Sequence, residues 1–159
     1  TCIYARRKGF GRCSDIERHV KYNEREMKNI LFRGKDKFTG TWRYGDLVHN
    51  KKVTQTGLED RVMVGGFEVI EETVGQYIGL LDIMGDKIFE GDIIRSHNTN
   101  IKHLIVFCND AASFMAYPDF DGTRSDFCNI DVFWIKYGGK EVIGNIYDNP
   151  RMVKRIPNV

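Results

Sequence analysis

Lys87-Ile88-Phe89-Glu90-Gly91-Asp92-Ile93-Ile94-Arg95-Ser96 is the stretch on which the reading of this chain turns. Two β-rich runs, Lys87–Phe89 and Asp92–Ser96, flank Glu90-Gly91. Each is too short for a helix, and the glycine between them marks a turn. Gly91 supplies a left-handed or bulged backbone and Asp92 is placed to cap the backbone amides as the next strand opens. The same grammar occurs earlier, in Tyr44-Gly45-Asp46-Leu47-Val48, again behind an aromatic residue: Trp42 there, Phe89 here.

Outward from this core phrase the text stays strand-like. β-rich runs recur at Ile30–Arg33, Trp42–Val48, Val62–Ile70, Ile101–Phe107, Ser113–Tyr117, Val132–Tyr137 and Val142–Tyr147. Turn residues separate them at Phe38-Thr39-Gly40, Met84-Gly85-Asp86, Asp119-Phe120-Asp121-Gly122 and Tyr137-Gly138-Gly139-Lys140. Many short strands at hairpin spacing predict a mainly β fold, a small barrel or sandwich. Asn149-Pro150 reads as N-cap and first position of a short terminal helix that Pro157 would stop.

The chain divides at Met27. Residues 1–26 hold seven Lys/Arg against four acids, a net +3, so the overall +2 comes from this leader and the rest is close to neutral at −1. Ser14-Asp15-Ile16-Glu17 fits a capping box, and Ile16, Val20 and Met27 form a thin apolar stripe on a helix of about three turns. The expectation is a weakly docked N-terminal helix in an extension, residues 1–26, outside a domain at 27–159. No apolar run approaches the roughly 18 residues that span a bilayer; Leu104-Ile105-Val106-Phe107 is strand-sized. Ala5-Arg6-Arg7-Lys8 is not followed by an apolar signal region, and four cysteines are too few for a disulfide framework. A cytoplasmic protein without a membrane partner is expected.

Candidate chemistry was weighed residue by residue. Asp46 and Asp92 could serve a metal-dependent enzyme, but no third ligand stands at a fixed offset and the capping role explains both. His97, His103, Cys108 and Cys128 invite zinc, yet they lack the close Cys-x2-Cys knuckle, and His103 sits inside an apolar run. There is no Gly-x-Ser-x-Gly elbow and no phosphate loop; Gly65-Gly66 and Gly138-Gly139 suit tight turns. Glu71-Glu72 are adjacent, so they point apart. No catalytic residue and no cofactor is expected.

Three stretches together resemble the YopX family of small phage and prophage proteins. The first is Ile30-Leu31-Phe32-Arg33-Gly34-Lys35 followed by Gly40-Thr41-Trp42-Arg43-Tyr44-Gly45-Asp46. The second runs from Glu72-Thr73-Val74-Gly75-Gln76-Tyr77 through Asp82 and Gly85 to Phe89-Glu90-Gly91-Asp92-Ile93. The third is Val142-Ile143-Gly144-Asn145-Ile146-Tyr147-Asp148-Asn149-Pro150. Leu81-Asp82-Ile83-Met84-Gly85 departs from the family's polar turn. The resemblance implies a β-rich domain containing an SH3-like barrel, carried by phages, with no catalytic residues to transfer.

The leading functional expectation is a non-catalytic binding or accessory module acting on a host or phage protein in the bacterial cytoplasm. By analogy with SH3-like barrels its groove would use Trp42, Tyr44, Tyr77 and Phe89. A nucleic-acid binder would instead use Arg33, Lys35, Lys37, Arg151, Lys154 and Arg155. Self-association is also expected, because a strand at Val132–Tyr137 would be apolar on both faces and Val62–Ile70 would leave an open edge.

Overall fold

A computed structural model describes residues 30–118 and 128–153. The expected leader helix, Cys2, Cys13, the turn at 119–122, Lys154, Arg155 and Pro157 lie outside the described residues.

The chain is mainly β; the described residues build three antiparallel sheets and do not close into the barrel expected from sequence. In chain order the strands are β1 (Phe32–Lys35), β2 (Trp42–Gly45), β3 (Leu47–Thr54), β4 (Gly57–Val64), β5 (Phe67–Glu68), β6 (Gly75–Leu81), β7 (Lys87–Phe89), β8 (Asp92–Ser96), β9 (Lys102–Cys108), β10 (Ser113–Pro118), β11 (Cys128–Asn129) and β12 (Lys140–Asn145). One sheet has the order β2-β1-β6-β7, a second β11-β10-β9-β8-β12, and a third β3-β4-β5. All pairings leave Glu90-Gly91 as the hinge between the first sheet and the second.

The five-stranded sheet carries a core on each face. Ile94, Ile105 and Ala116 join Ile88 and Ile135 on one side. Ile93, Leu104 and Val106 join Val153 on the other. Neighbouring residues on β8 therefore serve opposite faces, as strand alternation requires. Ile88 packs with Ile94 and not with Ile93, because the turn at Glu90-Gly91 shifts the phase by one residue. A third cluster, Val62, Val64 and Val69, sits beneath the small sheet.

The run Val132–Tyr137 is a helix, α1, and not a strand. Its β-branched and aromatic residues favour a strand, but the flanks decide otherwise. Asp131 is the N-cap, its carboxylate accepting from Trp134 N at 2.6 Å. Gly138 N–H then bonds back to Trp134 O, and Gly138-Gly139 lead the chain out. Ile135 is buried and Trp134 packs beside it, while Lys136 and Tyr137 face solvent. Trp134 and Ile135, on opposite sides of the imagined strand, both pack on the core from the helix while Val132 stays exposed, and the two-faced-strand argument for self-association loses this support. Val62–Ile70 likewise folds back on itself at Gly65-Gly66 into β4 and β5. Gly65 has φ +58, and a Cβ there would stand 2.4 Å from Tyr44 O, so only glycine fits.

The polar stretch 49–61 gave no strand signal, yet β3 and β4 pair over their full length from Leu47↔Val64 to Thr54↔Gly57. The inner end is anchored by Leu47, Val62 and Val64 on the third core. Beyond it runs a ribbon whose end carries Val53 opposite Leu58, exposed by 82% and 66%. The terminal helix expected at Asn149-Pro150 is a single 3-10 turn, Pro150–Met152, with proline at its start.

These burial differences set two contrasting stabilities. Ile94→Ala should cost about 2–5 kcal/mol, since a fully buried side chain leaves a cavity between sheet and helix. Val53→Thr should stay within about 0.5 kcal/mol. Urea unfolding of the two variants measures both.

Candidate functional site

β1 pairs β2 so that Arg33 stands opposite Tyr44 and Lys35 opposite Trp42. Strand alternation puts all four side chains on one face of the first sheet. β6 and β7 add Tyr77 opposite Phe89. The sheet curls enough that Tyr44 from one edge strand reaches Phe89 from the other, with ring centres 5.6 Å apart; Tyr77 and Phe89 are also 5.6 Å apart. Trp42 lies 6.0 Å from Tyr147. The four aromatic residues singled out in the sequence thus come together in space. Phe89 is buried, Trp42 and Tyr77 are half-buried, and Tyr44 is 55% exposed.

At the centre is Arg33, which the sequence reading had assigned only to a surface cationic patch. It is 6% exposed. Its guanidinium lies 4.7 Å from the centre of the Trp42 ring and 4.9 Å from that of Phe89, cation–π contacts on two sides. Its Nη2 is 2.6 Å from Asp92 Oδ1 and donates to Glu90 O at 3.2 Å. Asp92 Oδ2 accepts from Phe89 N at 2.7 Å, the capping role read from the Gly-Asp phrase. Burial pushes the Asp92 carboxyl up to about 6, against the pull of Arg33 and the Phe89 amide. Gly91, at φ +82, passes under Tyr147, and a Cβ there would be 3.1 Å from the ring.

The closing motif locks the other side. Asp148 accepts from Lys35 Nζ, from Trp42 Nε1 at 2.8 Å and from Asn145 Nδ2 at 2.8 Å. Lys35 and Asn145 hold its carboxyl down at about 2. Asn145 Oδ1 in turn accepts from the backbone of Tyr147 and Asp148. Asn145 and Asp148 carry no mark of a site role in the sequence, because Asp148's partners Lys35 and Trp42 are more than a hundred residues away and Asn145 acts through Asp148 within a short polar motif.

Beside Arg33 and Phe89 lies an open cleft of about 480 Å³ lined by Leu31, Arg33, Tyr44, Asp86, Lys87, Phe89, Asp92 and Val142; Trp42, Tyr77 and the closing motif are not part of its lining. Arg33 Nε is buried without a hydrogen-bond partner. An orphaned donor of this kind costs about 1–3 kcal/mol.

The other candidate residues separate. Asp46 is exposed, and its main-chain carbonyl, not its carboxylate, accepts from Gly65 N; the two Gly-Asp phrases are alike in text and unlike in role. His97 pairs with Glu141 at 2.7 Å, whereas His103 is buried edge-on against Trp134 at 5.1 Å between ring centres. Among the described residues no three His, Cys, Asp or Glu side chains gather as a metal site. Lys35 and Lys37 are held by Asp148 and Glu68, so with Arg33 the first half of the cationic set is neutralised. Arg151 stands apart on the final turn. Among the described residues no helix is long and apolar enough to cross a membrane.

A curled antiparallel sheet with an aromatic cleft over a buried ion pair defines a β-rich domain with a ligand-sized recess. The family model described as YopX protein matches residues 31–154, and the chain belongs to that family. The matched span begins and ends at the motifs that meet around Arg33 and Asp148. No curated protein matches the chain. The crystal structure of protein EF1440 from Enterococcus faecalis is similar at 18% identity and a TM-score of 0.50, over 79% of this chain and 98% of that one. That likeness concerns the fold alone.

Two buried groups titrate against each other. Burial, with Lys140 nearby, lowers His103 from 6.5 to about 4. Its unfolded form therefore takes up a proton that the folded form refuses, and stability is lost as pH falls from 6.5 toward 4. Asp92 is raised from 3.8 to about 6, so its folded form takes the proton first and stability is gained as pH falls from 6 toward 4. The two slopes oppose, so wild-type stability should change over that window in between the two single variants. In His103→Phe acidification from pH 6 to 4 should stabilise; in Asp92→Asn it should destabilise. Urea unfolding at pH 7, 6, 5 and 4 reads all three.

Proposed function

We propose that this chain is a non-catalytic binding module, an accessory protein of a phage or prophage that acts on a host or phage protein in the bacterial cytoplasm. The observation that carries the reading is the cleft. Tyr44 exposes a ring over buried Phe89, and the recess beneath is framed by residues that the fold holds rigidly through an ion pair and a closing hydrogen-bond cluster. Membership in a family without catalytic motifs agrees with it. A partner would bind by filling the recess with apolar or aromatic side chains, the mode in which a few buried anchors dominate affinity.

The test places a photo-crosslinking amino acid at position 44 and, as a control, at position 38, an exposed site outside the cleft. In lysate of a host with an induced prophage, a defined protein should be captured from position 44 and not from position 38. Purified, it should bind the wild type and lose affinity about tenfold or more for Tyr44→Ala, as removal of a central aromatic anchor does. Capture from both positions alike, or an unchanged affinity for Tyr44→Ala, overturns the reading.

A second copy of the chain is a further partner we propose, now on a different observation from the strand first considered. Val53 and Leu58 face each other on the ribbon as an exposed apolar pair. Light scattering over a concentration series should show mass rising above one chain, and Val53→Lys with Leu58→Lys should return it to one. A constant single-chain mass refutes self-association.

A further inference from the structure

We propose that the N-terminal extension covers an apolar patch on its own domain: residues 14–27, read from the sequence as a helix, lay Ile16, Val20 and Met27 on Leu81, Ile83, Met84 and Val132. The inference concerns a different recess from the aromatic cleft and does not depend on the binding-module reading.

The patch is the first argument. Leu81, Ile83 and Met84 come from the end of β6 and the turn into β7, and Val132 from the start of α1. They surround a recess of about 420 Å³ that has buried Ile135 in its lining. All four are exposed, Met84 by 72%. The turn itself does not need them. Asp82 holds it by accepting from Met84 N at 2.8 Å, Asp86 N at 2.9 Å and Val142 N at 2.9 Å, and Gly85 supplies φ +92. Polar side chains at 81, 83 and 84 would leave each of those bonds in place. Four large apolar groups gathered at one exposed recess mark a surface that something covers.

Position is the second argument. β1 pairs β6 with Phe32 opposite Gln76, and Leu31 O accepts from Tyr77 N at 2.7 Å. Carried back along the chain, that register leads from Leu31 toward the Leu81 end of β6. Leu31 also shares a recess with Asp86 and Lys87, which follow directly on Gly85 of the patch. Met27 is three residues before Ile30, within about 11 Å of it at full stretch. A segment tethered at this distance is present at an effective concentration in the millimolar range. A second copy or an outside peptide would have to compete with that tether, so the chain's own segment is favoured.

The third argument is chemical match. Ile16, Val20 and Met27 form a narrow apolar stripe behind the Ser14 capping box. A helix of about three turns is marginal in water by itself and persists by burying such a stripe. Glu24, four residues after Val20, falls beside it. The one exposed charge in the lining of the recess is Lys136, which has the opposite sign.

The experiment uses the full chain with a photo-crosslinking amino acid in place of Met84, mixed in equal parts with the same chain labelled with nitrogen-15. Mass spectrometry identifies the linked peptides. Position 38, exposed and outside the recess, is the control. Links from position 84 should reach residues 14–27 with both peptides in one isotope, and links from position 38 should not reach them. In a second measurement, Ile16→Ser with Val20→Ser should speed hydrogen exchange at the amides of residues 14–27 at least about threefold and leave β8 and β9 unchanged. Mixed-isotope links assign the patch to a second copy and overturn the proposal. Links to another segment, no link from position 84, or exchange unaltered by the two substitutions overturn it as well.

Discussion

The ion pair between Arg33 and Asp92 is the contact on which the arrangement of this domain depends. Arg33 belongs to the first sheet and Asp92 opens the second, so their 2.6 Å contact ties one layer to the other across the Glu90-Gly91 turn. Both charges are almost wholly removed from water. A buried pair of this kind is a poor source of net stability, because desolvation offsets most of the attraction. It is an effective source of specificity. Either charge alone would be stranded, so alternative registers of β1 or β8 that separate the two are penalised.

Aromatic and hydrogen-bonded shells are built around that pair. Trp42 and Phe89 cover the two faces of the guanidinium, and Tyr44 and Tyr77 lean on Phe89. Asp148 then fastens Trp42 and Lys35 to the closing motif through Asn145. Residues from six strands and one loop thus support a single recess. The same interactions that hold the two sheets together also pre-form the cleft, which lowers the ordering cost a ligand would otherwise meet.

Much of this was legible in the chain. Alternation and turn residues mark most strands, and the Gly-Asp phrase correctly signals a capped turn at Asp92. The three motifs of the YopX resemblance were visible as text, and they are the segments that converge on the site. Other features were misread for identifiable reasons. Val132–Tyr137 has strand composition, but an Asp131 cap and a Gly-Gly exit outweigh propensity in so short a segment. The β3–β4 ribbon has polar side chains on both faces where it leaves the core, so no alternation betrays it. The second Gly-Asp phrase looked equivalent to the first, and Asp46 turned out to be exposed.

The sequence by itself determined the class of fold, the places where the chain turns, and the family, because these follow from local preferences and from motifs read in order. Tertiary structure alone decided which charges are buried and which residues meet. Arg33 reads as a surface cation until β1 is laid between β2 and β6 with Asp92 beneath it. Asp148 has no evident role until the last loop returns to Lys35 and Trp42. Burial and partnership are properties of distances between segments remote along the chain, and local pattern carries no information on them until the sheets have curled together.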